Sequence, residues 1–413
     1  MLKKELQEII TNGENSGIEF KRDDIRPEQL AKEIVAMVNF QGGRVLLGVE
    51  DDGSVSGLQR SNTEEWVMHV IRDKIHPLIL PYYETVQLDD GKRIAVLSFP
   101  QGISKPYVVR NKGEEKIYIR IGSTSQLATR EQQMRLFEIG GMLHTEVLPV
   151  PRTDISCLDL VRLENYLHDI INDPEIPSNQ EEWEIRLTGL GFLTLAGDVL
   201  CCTVAGLVLF GFHPRRYLKQ AGIRIFAFAS EDKEYKALLD DILDGPLVGR
   251  WANTGGRLEL IDPGLLDRVL PLITRFIVEE GSEITTELRR ETFQKYPLEA
   301  VREVIVNALA HRDWTRFVEI EIGLYTNRLE VISPGALPNS MTVDKMIAGQ
   351  RSPRNTIIME VLRDYKYVDY RGMGIRTKVL PLMRKVNQTE PEFIVTEDYL
   401  KTILYSKGSK RSV

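Results

Sequence analysis

Glu303, Asn307 and His311 recur at four-residue intervals in Ala300-Val301-Arg302-Glu303-Val304-Ile305-Val306-Asn307-Ala308-Leu309-Ala310-His311-Arg312-Asp313. On a helix this spacing stacks them along one face, and Val301, Val304, Ile305 and Ala308 form the apolar side. Where such a face opens on a nucleotide pocket, the Asn307 oxygen suits Mg²⁺ coordination and the Glu303 carboxylate suits activation of a water. The bland alternative is a helix whose wet face carries polar residues and nothing more. Three further segments bear on that choice. Arg371-Gly372-Met373-Gly374-Ile375 sets two glycines immediately before a predicted helix, where backbone N–H groups can meet phosphates. Arg328 to Pro338 is a strand that delivers Ser333 and Gly335 into a Pro/Gly-kinked loop, and Ser352-Pro353-Arg354-Asn355 is a polar loop with cations at Arg351 and Arg354.

A second candidate site lies near the start of the chain. Glu14 and Glu19 flank a turn and can converge with Asp51, at the end of a neighbouring strand, into a carboxylate cluster able to hold a divalent ion against a phosphodiester. Lys21 would then offset the phosphate charge. Alternatively, Glu19 and Lys21 are a same-face structural pair on a strand, and Asp51 and Asp52 serve the turn before Gly53. Further along, Lys105, Arg110, Lys112, Lys116, Arg120 and Arg130 outnumber Glu114 and Glu115, with Tyr107 and Tyr118 interleaved. That describes either a phosphate-contacting ribbon or a solvated hairpin.

The elements that must position these groups fall into two sets. Residues 1–144 read as a mixed domain: strand Gly17–Lys21, helix Gln29–Phe40, a strand ending in Asp51-Asp52-Gly53, helix Glu64–Lys74, a hairpin of Tyr82–Leu88 and Arg93–Phe99, and strand Lys116–Ile121. The Pro-punctuated Leu148-Pro149-Val150-Pro151 places a linker at 145–157. Residues 158–296 read as a connecting α/β region with helix Leu158–Ile171 and buried strands Val204–Phe212 and Ile223–Ala229. Residues 297–405 run helix (Leu298–His311), strands (Val318–Tyr325, Leu329–Ser333), helix (Ile357–Arg363), Gly-rich turn, helix (Arg376–Val386) and a strand pair from Phe393 to Tyr405, followed by a basic tail at 406–413. Met37, Met134, Met142, Met359 and Met383 sit in helical patterns that read as core.

Composition limits the chemistry. With 413 residues, 42% hydrophobic and 27% charged, the chain is globular and long enough for two or three domains. A net charge of −7 confines any polyanion binding to a local patch. Cys157, Cys201 and Cys202 give neither a disulfide framework nor zinc spacing, and the histidines form no H-E-x-x-H. There is no P-loop G-x-x-x-x-G-K-[ST] and no G-x-S-x-G elbow. The N-terminus lacks a signal-peptide core, and the uncharged run Val199–Pro214 is too short for a membrane helix, so a cytoplasmic protein is expected.

Taken in order, E-x-x-x-N-A-x-x-H-R-D, R-L-E-V-I-S-P-G-x-L-P, S-x-R-N and G-M-G-I resemble the divergent nucleotide-binding domain of the GHKL (gyrase, heat-shock chaperone, histidine kinase, mismatch-repair) ATPases. The closer likeness is to a branch of prokaryotic proteins described as transcriptional regulators, over about residues 150–405, with Ala205-Gly206-Leu207-Val208-Leu209-Phe210-Gly211 as a second landmark. The resemblance implies a Bergerat-type α/β sandwich holding ATP and Mg²⁺. In it Glu303 would be the catalytic base with His311 nearby, Asn307 the Mg²⁺ ligand, Ser333 and Gly335 part of the adenine-side loop, Arg354 a nucleotide contact, and Gly372 and Gly374 the phosphate lid. The superfamily carries Asp where this chain has Ser333, so the carboxylate that pairs with the adenine amino group is missing.

Glu14-Asn15-Ser16-Gly17-Ile18-Glu19-Phe20-Lys21, Ala36 to Gly53, and Tyr118-Ile119-Arg120-Ile121-Gly122-Ser123 resemble an AlbA-type Schlafen domain over about residues 10–140. That resemblance implies nucleic-acid binding, and in some relatives metal-dependent RNA cleavage by an acidic trio, here Glu14, Glu19 and Asp51. The expected architecture is α/β and α+β: an N-terminal AlbA-like Schlafen domain and a C-terminal ATP-binding domain. The expected function is nucleotide-responsive DNA or RNA binding, as a transcriptional regulator or anti-phage defence component, in a homo-oligomer and without a membrane partner. The alternatives are a metal-dependent nuclease gated by the ATPase domain, and an inert scaffold with a degenerate nucleotide pocket.

Overall fold

The structure is a computed structural model describing residues 3–141, 144–255, 257–284, 290–337, 341–350, 352–368 and 372–409. Its first unit ends at Leu143 and its second runs from His144 to Val413. Among the described residues, no helix is long and apolar enough to cross a membrane.

In the first unit, Pro27 opens the Pro27–Asn39 helix, where its missing N–H costs nothing. That helix crosses between strands Ile18–Lys21 and Gly42–Leu47, which pair in parallel with Glu19 beside Val45. Gly42–Leu47 then pairs antiparallel with Arg93–Pro100, and Arg93–Pro100 with Tyr82–Gln87. Strand alternation sorts the two faces of this sheet. Val45, Leu47, Ala95 and Leu97 meet Leu30, Ile34 and Val38 of the crossover helix and Val67 and Ile71 of the Thr63–Lys74 helix. Phe20, Leu46, Ile94 and Val96 face the other way, onto Leu6 of the Lys3–Asn12 helix.

The second unit is built on a six-stranded sheet ordered 239–243, 223–227, 320–324, 328–334, 399–405, 392–395. Ile223–Ala227 and Ile320–Leu324 are parallel, and the other neighbours are antiparallel. One hydrophobic core runs from Val150 to Leu404, including Leu207, Ile225, Ile273, Val301, Ile322 and Leu362. Residues 158–296 and 297–405 therefore share a sheet and a core, in place of the separate connecting region expected. The expected linker at 145–157 is likewise built in: it forms two short helical turns, Thr145–Val147 and Ile155–Cys157, and Glu146 is wholly buried.

Val204–Phe212 also differs from expectation. Val204–Phe210 is a helix, opened by the Thr203 hydroxyl, which accepts from the Gly206 N–H at 3.0 Å. Every residue of that helix is buried, so no polar stripe marks a helical period. The expected helix Arg376–Val386 is three short pieces, with wide π-type turns at Ile375–Val379 and Met383–Asn387 around Leu380–Leu382.

Candidate functional sites

A cavity of about 340 Å³ opens in the second unit, within the size range of small-molecule sites. Glu303, Asn307 and His311 line it from the Leu298–His311 helix, Ser333 and Gly335 from the sheet strand and its loop, and Gly372 and Gly374 from the turn. Thus residues singled out on three separate segments meet at one site. Glu303 is buried, and its Oε1 accepts from Asn307 Nδ2 at 3.2 Å. Among the described residues, this amide orientation leaves Asn307 Oδ1 open for a cation. A single amide oxygen beside a carboxylate fits Mg²⁺, which keeps several waters and takes much of its coordination from phosphates. Among the described residues no group of three His, Cys, Asp or Glu forms a self-sufficient metal site.

Gly374 is required by Glu303. A Cβ there would overlap the Glu303 carboxyl group and crowd its Cγ. Gly374→Ala is therefore expected to push the carboxylate from its position and to lower global stability by about 1–3 kcal/mol, the usual cost of overpacking a buried position. Thermal denaturation and a ligand-binding assay on the same sample check both halves.

The rest of the motif set has a different job. The last carbonyls of a helix need partners from outside, and here they have them. Ser333 Oγ donates to Ala308 O at 2.9 Å, Asn355 Nδ2 to Ala310 O and Arg312 O at 3.0 and 2.9 Å, and Arg354 Nη1 to His311 O at 3.2 Å. Arg354, expected at the nucleotide, is absent from the cavity lining and also donates to Ala336 O at 2.8 Å, fixing the loop after Gly335. A Cβ on Gly335, whose φ is +105°, would run into Asp313. His311 is held neutral: burial, and then the Arg354 charge, push it down to about 4. It cannot act as an imidazolium acid near neutral pH. Arg312 donates to the carbonyls of Gln220, Arg316 and Val318, and Asp313 accepts from Thr315, so the H-R-D triplet terminates the helix.

Other lining residues carried no chemical signal in the sequence. Met341, Met346, Met359, Phe393 and Leu400 supply apolar wall, so Met359 serves the cavity and not only the core. Thr402 adds a hydroxyl from the strand beside Val331. Arg351, Pro338 and Arg371 of the sequence motifs lie outside the described residues.

In the first unit the acidic trio does converge, but on an ammonium. Lys21 Nζ lies 2.5 Å from Glu19 Oε1, 3.8 Å from Glu14 Oε1 and 3.9 Å from Asp51 Oδ1. Burial, and then the charges of Glu19 and Asp51, raise the Glu14 pKa, although the Phe20 N–H donates to its carboxylate. Glu19 is buried, and its second oxygen faces Arg120 Nη1 at 2.6 Å. Arg120 also reaches Glu33 at 3.3 Å and donates to the carbonyls of Asn15 and Ile18, while Ser125 Oγ donates to Glu33 at 2.5 Å. Lys21 thus stands where a divalent ion would sit, and Arg120 locks Glu19 from behind.

This burial removes two residues from the expected nucleic-acid ribbon. The Arg120 side chain has no exposed surface. Lys105 is also interior, with Nζ donating to Phe40 O at 2.9 Å, at the end of the Pro27–Asn39 helix. Tyr107 is buried too, its N–H donating to Asn39 Oδ1. The exposed cations of that set are Arg110, Lys112 and Lys116 on the hairpin of Val108–Asn111 and Glu114–Lys116, with Arg110 paired to Glu115 and Lys116 to Glu114, and Arg130 at the start of the Arg130–Ile139 helix.

Comparison with known proteins agrees with this division. Residues 14–129 match the family "Schlafen, AlbA_2", and residues 318–404 match "Putative ATP-dependent DNA helicase recG C-terminal". The chain joins an AlbA_2 Schlafen domain to an ATPase-like domain. The second match begins after the helix carrying Glu303 and Asn307, so those residues stand on the cavity geometry alone. Among solved structures, the DIP2311 protein of Corynebacterium diphtheriae is 18% identical, with 95% of this chain and 75% of that chain covered at a TM-score of 0.44. The N-terminal domain of a RecG-related protein, described as a putative ATP-dependent DNA helicase, from Nitrosomonas europaea is 23% identical over 30% of this chain and 92% of its own, at a TM-score of 0.24. No curated protein matches the chain.

Proposed function

We propose that the chain is a nucleotide-responsive nucleic-acid-binding protein: the ATPase-like domain binds ATP with Mg²⁺, and the AlbA_2 domain binds DNA or RNA. The observation carrying the first half is the buried Glu303, bonded to the half-buried Asn307 and set against Gly374 in the wall of a cavity of about 340 Å³. Asn307 would hold the metal, which would offset phosphate charge when bound, and Glu303 would orient and deprotonate a water. Ser333 supports adenine recognition by a route other than a carboxylate. Its proton is committed to Ala308 O, so its oxygen can only accept, and an exocyclic amino group is the partner it suits. A transcriptional-regulatory or defence role would be a use of such a device.

Calorimetry with ATP, with and without Mg²⁺, is the test. ATP should bind more tightly than ITP, which lacks the amino group, by about tenfold, the value of one hydrogen bond. Ser333→Ala should erase that preference, whereas no heat at millimolar nucleotide would end the ATP reading.

For the AlbA_2 domain, Arg110→Glu with Lys112→Glu and Lys116→Glu is expected to weaken binding to every nucleic-acid sequence tested and to flatten the salt dependence, since each lost phosphate contact lowers counterion release. Electrophoretic shifts at 50 and 200 mM salt, roughly the range over which such contacts dominate, measure both effects. An unchanged salt slope would move the interface elsewhere. Because Lys21 and Arg120 neutralise Glu19 and Lys21 fills the trio, the reading favoured is binding without cleavage.

A further inference from the structure

Glu146 exposes no surface, yet among the described residues it pairs with no cation, its partners being a hydroxyl and two backbone N–H groups. Its Oε1 accepts from Thr356 Oγ1 and the Ile357 N–H, each at 3.0 Å, and its Oε2 accepts from the Ile358 N–H at 3.0 Å. All of these partners lie in the first turn of the Thr356–Asp364 helix. A carboxylate there meets N–H groups that have no partner within the helix, and it meets the positive end of the helix dipole.

That helix cannot cap itself. Asn355 stands at its start but makes no capping bond, because its amide is turned to the last carbonyls of the Leu298–His311 helix. The missing acceptor comes instead from a residue 210 positions earlier in the chain. The helix it anchors puts Thr356, Met359, Glu360 and Arg363 into the cavity wall. Glu146 itself lies just past Leu143, where the first unit ends.

We propose that Glu146 is a positioning residue for the cavity: it fixes the first turn of the Thr356–Asp364 helix, so that the segment by which the chain enters the second unit becomes part of the support of the ligand site. Linkage then works in both directions. Undocking of residues 144–147 loosens the cavity wall, and a ligand that needs the wall in place tightens the docking of residues 144–147. This inference rests on the reading of the cavity as a nucleotide site for its ligand, but not for the contact itself.

The test uses the full chain and its Glu146→Gln variant, which keeps the shape but replaces one acceptor with an NH₂ that opposes an N–H donor. Hydrogen exchange is followed in residues 144–150 and 356–364, with and without Mg²⁺ and ATP, and nucleotide affinity is measured well below the melting temperature. In the wild type, nucleotide should slow exchange in both segments. In Glu146→Gln, exchange in 356–364 should rise without ligand, ATP affinity should fall about tenfold, and nucleotide should no longer protect residues 144–150. Ile225→Val, in a sheet strand that does not line the cavity, supplies the control for lost stability and should leave affinity and ligand protection unchanged. Equal affinity and equal protection in Glu146→Gln and the wild type would overturn the proposal. If the wild type binds no nucleotide, the nucleotide reading fails by itself; the ligand-free exchange of 356–364 then decides the Glu146 contact, a rise in the variant supporting it and no change overturning it. Should Glu146→Gln not fold, Glu146→Asp, one methylene shorter, is expected to give the same changes at about a third of the size.

Discussion

Glu303→Gln is expected to keep ATP affinity within about threefold while slowing hydrolysis by about a hundred- to a thousandfold, the usual contribution of a positioned general base. The split follows from the geometry. Asn307 Nδ2 donates to Glu303 Oε1 at 3.2 Å, and a glutamine carbonyl accepts that bond equally well, so the wall and the open Asn307 Oδ1 survive. Only the capacity to take a proton from water is lost. Asn307→Ala should do the opposite, weakening Mg²⁺-dependent binding more than it slows turnover of bound nucleotide. Single-turnover hydrolysis alongside calorimetry separates the two. If both variants lose binding equally, the helix face is structural and the cavity does not work as a base-assisted ATPase. If Glu303→Gln hydrolyses at the wild-type rate, the water is activated elsewhere.

The parts of this site that could be read in the sequence were those set by local periodicity. The Leu298–His311 helix has apolar residues at helical spacing, and its four-residue polar interval put Glu303 and Asn307 on one face before any tertiary contact was known. Ser333 and Arg354 were legible as members of the same constellation but not in their roles, because the carbonyls they satisfy belong to the end of a distant helix. Whether a polar residue faces a ligand or caps a helix is decided by packing. The Val204–Phe210 helix reads as a strand for a related reason: buried on every side, it has no hydrophobic period to detect, and its β-branched and aromatic residues mimic a strand. Glu146 had no signal at all, since an isolated glutamate beside prolines looks like linker and its partners are more than 200 residues away.

Residue type misled most in the first unit, and there the largest stability effect is expected. Arg120→Met should destabilise the AlbA_2 domain by about 3–5 kcal/mol, the cost of removing one partner from a buried ion pair. The side chain has no exposed surface, and it lies against Glu19 and Glu33, two carboxylates that are themselves buried. Methionine fills much of the volume but donates nothing to Asn15 O and Ile18 O, and among the described residues it leaves Lys21 as the only close cation for Glu19. Lys112→Glu, at an exposed turn, should shift stability by no more than about 0.5 kcal/mol while weakening nucleic-acid binding. Urea denaturation and a binding assay on both variants therefore give opposite patterns: Arg120→Met unfolds early, and whatever remains folded binds normally, whereas Lys112→Glu stays folded and binds less. An Arg120→Met domain with an unchanged urea midpoint and lost nucleic-acid binding would return Arg120 to the interface and undo the buried-network account of Glu19. With Lys21 on one oxygen of Glu19 and Arg120 on the other, that buried carboxylate is countered by two cations of the chain itself, which is why loss of Arg120 is expected to register as lost stability.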